Sequence, residues 1–78
     1  MTYPTSTGTA RPFRLWDARH KRLVPSRAFK FKERAHMGAL IECRWAAVGH
    51  TIEVFDISNG KLLGQYTRRV NRIDFSGE

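Results

Sequence analysis

Apolar and polar residues alternate in Phe13-Arg14-Leu15-Trp16, a period of two that predicts a strand with Phe13 and Leu15 on one face and Arg14 and Trp16 on the other. The polar run Asp17-Ala18-Arg19-His20-Lys21 predicts a connection, and Arg22-Leu23-Val24 an antiparallel return. Pro25 has no N–H to give to a ladder, so the return strand is expected to end or bulge there and to lie at a sheet edge. Arg27-Ala28-Phe29-Lys30-Phe31 alternates again, predicting Phe29 and Phe31 inward and Arg27 and Lys30 outward. The first ten residues are rich in Thr, Ser and Gly, have no periodicity and read as a flexible arm.

From about Lys32 to Val48 the spacing becomes helical, with Gly49 as the expected stop. Ala35, Ala39, Leu40, Cys43, Ala46 and Ala47 share one stripe, interrupted by His36, whose small side chains suit close packing on a sheet. Met37, Ile41 and Trp45 recur at intervals of four as a second stripe beside Arg44. A helix on a sheet needs one apolar stripe, so the second predicts a protein interface, either a two-fold homodimer or a cover formed by Val70, Ile73 and Phe75 of the same chain. Thr51–Ile57 and Leu62–Thr67 read as strands around Ser58-Asn59-Gly60-Lys61, whose Asn-Gly pair is a strong hairpin signal. A two-residue turn and a three-residue turn with a bulge at Gly60 both fit, and Arg68–Phe75 is open as a last strand.

The order predicted is β-hairpin, helix, β-hairpin: an α+β domain over residues 11–75, with one helix on one face of a four- or five-stranded, mostly antiparallel sheet and residues 76–78 as a tail. The other face is expected to be open. In 78 residues this leaves one core and little room for a buried catalytic cavity.

Charge sharpens the picture. The net charge is +7, and residues 11–34 carry all of it, with nine Lys and Arg against Asp17 and Glu33; the remainder of the chain balances. Clustered positive potential attracts polyanions, whether nucleic acid, an acidic protein surface or anionic lipid. The longest apolar run, Trp45-Ala46-Ala47-Val48, is far short of a membrane span, and the N-terminus lacks the basic start and apolar stretch of a signal peptide. Cys43 stands alone and cannot form an internal disulfide; a buried thiol and a cytoplasmic setting are expected. His20, His36, Cys43 and His50 are able to ligate a metal, yet no Cys-x-x-Cys or His-x-x-x-His pair anchors a site, so neither metal nor cofactor is expected. No phosphate-binding glycine loop and no nucleophile–base set is present, and a non-enzymatic role is expected.

Cations interleaved with an aromatic on an uncovered sheet face suit a nucleic acid, with phosphates on the cations and a base stacked on the ring. On this reading Arg14, Arg19, Lys21, Arg22, Arg27 and Lys30 contact phosphates and Trp16 stacks or wedges, with duplex DNA ahead of RNA. Strand, short turn, strand and then Phe29-Lys30-Phe31-Lys32-Glu33-Arg34-Ala35 leading into a helix also resembles the N-terminal arm-binding domains of phage integrases, over residues 13–42. The resemblance implies a sheet that enters the DNA groove and uses Arg14, Trp16, Arg27 and Lys30; the second hairpin after the helix departs from that family. The rival reading is a protein-interaction or inhibitor module, such as mobile elements carry, acting through Met37, Ile41 and Trp45 or through a sheet edge.

Overall fold

The computed structural model describes residues 3–77. Strands β1 (Phe13–Asp17), β2 (Arg22–Phe29), β3 (Thr51–Asp56), β4 (Lys61–Arg68) and β5 (Ile73–Gly77) form one antiparallel sheet in the order β2-β1-β3-β4-β5, and helix α1 (Lys32–Arg44) packs across one face. This is the expected α+β architecture with five strands. Arg68–Phe75, left open by the pattern, ends β4 and begins β5, which also takes in Ser76 and Gly77 of the expected tail. Glu78 of that tail, with Met1 and Thr2 of the expected arm, lies outside the described residues.

Pro25 acts as its chemistry demands. β2 is an edge strand, and its pairing with β1 slips between Arg14↔Ala28 and Trp16↔Leu23, so Val24–Arg27 bulge out opposite Leu15. Ser26 turns the bulge with a left-handed φ of 61°. The Asn-Gly hairpin is longer than either turn expected: Asp56 pairs with Lys61 across four residues, with Gly60 at φ 72°. The Asp56 carboxylate accepts the Ser58 N–H (2.8 Å), and the Asn59 side-chain oxygen accepts the Lys61 N–H (2.8 Å).

The helix ends one turn before Gly49, at Arg44, so Ala46 and Ala47 are not part of its stripe. Gly49 does adopt a left-handed φ of 92°, but to bring the chain back to the sheet: its N–H donates to Arg68 O (2.7 Å). Ala35, Ala39 and Cys43 are fully buried against Leu15, Ile52, Val54 and Tyr66, whereas Leu40 is partly exposed. At the other end Phe31 is the N-cap, extended and exposed rather than inward, with no side-chain cap. Burial pushes the Cys43 thiol pKa up, and its Sγ lies 3.6 Å from Tyr66 O, the setting of an inert core thiol.

Gly38 allows the closest approach of helix and sheet. A Cβ there would stand 2.5 Å from the Phe29 ring, too close for any contact. In an open helix Gly→Ala stabilises by about 1 kcal/mol through propensity. Here overpacking, at about 1–3 kcal/mol, reverses the sign. Gly38→Ala is expected to lower the thermal midpoint; a raised midpoint in a calorimetric scan would show that Phe29 yields freely.

The second face of the sheet is not open. Trp16, Phe55 and Ile57 form a smaller buried cluster there, and residues 3–12 run back along it without regular structure. Ser6 N–H donates to Ile57 O and Ile57 N–H to Pro12 O, both at 2.8 Å. The Tyr3 ring stacks on Phe55 (centroids 4.5 Å) and meets Trp16 edge-on (5.7 Å), while its hydroxyl donates to Glu53 Oε1. Burial, then the hydrogen bond to Glu53, raises the Tyr3 phenol pKa, so the ring stays protonated. One helix covers one face of the sheet, and a segment with no periodicity covers the other.

Candidate nucleic-acid interface

The fold divides the sequence cluster of cations. β2 runs away from the β1–β2 tip and α1 runs back, so Arg19, Lys21 and Arg22 stand at one end of the sheet while Lys30, Lys32 and Arg34 stand at the other. The tip end gains partners from elsewhere in the chain. Arg44 closes α1 there, where the helix dipole favours a cation. Arg68 ends β4, and Arg69 and Arg72 flank the β4–β5 turn, with the Arg69 N–H donating to Arg72 O (2.8 Å).

Main-chain hydrogen bonds tie these loops together: Ala18 N–H to Thr51 O (3.1 Å), Gly49 N–H to Arg68 O (2.7 Å) and Arg68 N–H to His50 O (2.9 Å). Seven Lys and Arg side chains (Arg19, Lys21, Arg22, Arg44, Arg68, Arg69 and Arg72) thus gather at this end. Asp74 answers two of them, accepting from Arg69 (2.9 Å) and Arg72 (2.7 Å), which hold its carboxyl below the usual range. Arg19, Lys21 and Arg22 are exposed and have no carboxylate partner among the described residues. The β1–β2 and β4–β5 tips are three strand spacings apart, about 14 Å. A concavity of about 450 Å³ lined by Ala18, Arg19, Val48, Gly49 and Thr51 lies beside the first tip.

The other residues expected to touch nucleic acid are placed differently. Trp16 is only 9% exposed, beneath Tyr3, so no face of it is free for a base. Arg14 shares that face, as alternation predicts, but its guanidinium is tied to Arg11 O (3.0 Å) and to Thr9. Arg27 is a correction: period two puts it on the helix side with Phe29, where it pairs with Glu42 at 3.0 Å. Lys30 is exposed at the far end, its Nζ 5.8 Å from the Phe31 ring centroid. Met37, Ile41 and Trp45 are uncovered, and Trp45 is 82% exposed. Val70 and Phe75 do not fold over them, because β5 pairs with β4 and Phe75 rests on Tyr66 and His36.

One cluster escaped the spacing argument altogether. Asp17, at the end of β1, meets His20 of the hairpin tip (Nδ1 to Oδ2, 2.7 Å) and His50 of the α1–β3 loop (Nε2 to Oδ1, 2.5 Å). Asp17 Oδ1 also accepts the N–H groups of Arg19 (3.0 Å) and His20 (3.2 Å). Burial works to raise the Asp17 pKa, but the hydrogen bonds from His20 and His50 outweigh it and hold the carboxylate far below its usual range. His36, on α1, is elsewhere: burial, then Lys32, lowers its pKa, and its Nδ1 shares a hydrogen bond of 2.7 Å with the Tyr66 hydroxyl.

The described residues therefore form an α+β domain of one helix on a five-stranded sheet, with a cationic end built from three loops. No protein-family model, curated protein or solved structure matches it. No helix among the described residues is long and apolar enough to cross a membrane.

Proposed function

We propose that this protein is a non-enzymatic module that binds nucleic acid through the cationic end of its sheet. The observation that carries this reading is the convergence of Arg19, Lys21 and Arg22, without carboxylate partners among the described residues, with Arg44 and with the arginines around the β4–β5 turn. Hairpin tips about 14 Å apart suit the ~12 Å major groove of a duplex, with phosphates on both flanks in reach. That favours duplex over single strand, and phosphate contacts over base readout. The contact residues are accordingly Arg19, Lys21, Arg22, Arg69 and Arg72. A buried, unpaired Cys43 suits a reducing cytoplasm.

The test is fluorescence anisotropy with a random-sequence duplex across a salt series. Log K should fall against log salt by roughly 0.9 per phosphate neutralised. Lys21→Ala should reduce that slope by about one, whereas Lys30→Ala, at the far end, should leave it unchanged. No binding at low salt, or equal effects of the two variants, overturns the proposal.

The exposed Met37-Ile41-Trp45 stripe favours a second reading, a protein-interaction module, for which a homodimer is the simplest occupant. Sedimentation equilibrium of the wild type and of Trp45→Glu separates the two.

A further inference from the structure

We propose that Asp17, His20 and His50 form a binding site for a divalent transition-metal ion, zinc by its ligand set, that clamps the β1–β2 tip to the α1–β3 loop. Their three donor atoms, a carboxylate oxygen, an Nδ1 and an Nε2, all lie within 4.8 Å of one another. A tetrahedral ion with bonds of about 2.1 Å separates its ligands by about 3.4 Å. His20 Nδ1 is now 2.7 Å from Asp17 Oδ2, so seating an ion between them opens that contact by less than an ångström, while His50 Nε2, now 2.5 Å from Oδ1, turns from that oxygen to the ion.

The freedom to do this is on the right residue. The His20 side chain is 53% exposed on a surface turn, whereas those of Asp17 and His50 are 13% and 11% exposed and held in place. Two imidazoles and a carboxylate are the donors zinc takes, with water completing the fourth position. The N–H groups of Arg19 and His20 on Asp17 Oδ1 orient the carboxylate while Oδ2 turns to the metal, the supporting arrangement that ligating carboxylates have elsewhere. A groove of about 270 Å³ lined by Asp17, His50, Glu42, Trp45 and Arg22, among others, gives the ion a path in. Arg19, Lys21 and Arg22 nearby oppose a cation, which sets the affinity below that of dedicated zinc modules without changing the ligand geometry.

The site is independent of the nucleic-acid reading. Its test is titration of the whole chain with Zn²⁺ by calorimetry, and with Co²⁺ by visible absorption, whose intense bands mark four-coordination. One saturable ion per chain is expected, weakened at least tenfold in His20→Ala and in His50→Ala. Cys43→Ser and His36→Ala should bind as the wild type does. His20→Ala alters an exposed turn and keeps the fold, checked by circular dichroism, so the test survives a failure of His50→Ala to fold. Absence of saturable binding at submillimolar Zn²⁺, or undiminished binding by His20→Ala, overturns the proposal.

Discussion

Phe55→Ala should unfold the protein or lower its thermal midpoint by some 15 °C or more. Phe55 is fully buried on the face away from the helix, with the Tyr3 ring stacked on it at 4.5 Å and Trp16 edge-on at 6.4 Å. Removing a buried phenyl ring costs about 3–5 kcal/mol in transfer and cavity terms. A domain of this size has a stability of the same order, and each kcal/mol is worth about 4–8 °C. Tyr3→Ala should cost less, about 1–2 kcal/mol, because Tyr3 is only part-buried and its aromatic contacts are the main loss. In a Trp45→Phe background, Tyr3→Ala should also shift Trp16 emission to the red as water reaches the ring. A fall below 5 °C for Phe55→Ala in a thermal melt would mean that the second cluster adds little to the fold.

Asp17→Asn tests the other large term. Asp17 holds two backbone N–H groups and two imidazoles, and its folded pKa is depressed. A depressed carboxyl contributes stability that is fully present above its unfolded pKa of about 3.9 and is lost as pH falls through the folded value. Asparagine keeps an acceptor for the turn and loses the charge. The variant should be less stable at pH 7 by about 2–3 kcal/mol, the worth of hydrogen bonds to a charged group. That gap should narrow steadily below pH 4, as the Asp17 carboxylate of the unfolded wild-type chain takes up its proton. Denaturant melts at pH 7, 4 and 2.5 measure it, and a gap independent of pH would remove the charge from the explanation.

What could be read from the chain, and what could not, divides on physical lines. Local rules held where the cause was local: Pro25 bulged an edge strand, Asn59-Gly60 turned a hairpin, and alternation put Arg14 and Trp16 opposite Leu15. They failed where one signal served two purposes. Gly49 marked a stop, yet the helix ends at Arg44, and Gly49, with its N–H on Arg68 O, closes the connection that Trp45-Ala46-Ala47-Val48 forms. The candidate site was least legible, because neighbours in sequence are separated by strand length and strangers are joined by pairing. Lys21 and Lys30 part along β2, while Asp17 and His50, 33 residues apart, meet because β1 pairs with β3. No spacing rule for metal ligands spans such a distance.

The strand order carries a consequence for how the chain folds. Three of its four pairings join strands adjacent in sequence and close over short turns, while β1–β3 joins strands with β2 and α1 between them. Short loops close at little entropic cost, and long ones must close before any contact rewards them. The two halves, β1–β2 and β3–β4–β5, should therefore gain their internal pairings early, with the union of Phe13–Asp17 and Thr51–Asp56 as the expected slow event. Leu15 and Val54, opposite each other on that seam and fully buried, are where a substitution should retard folding most. Lys21 and Arg72, out in the turns, act on a chain already committed.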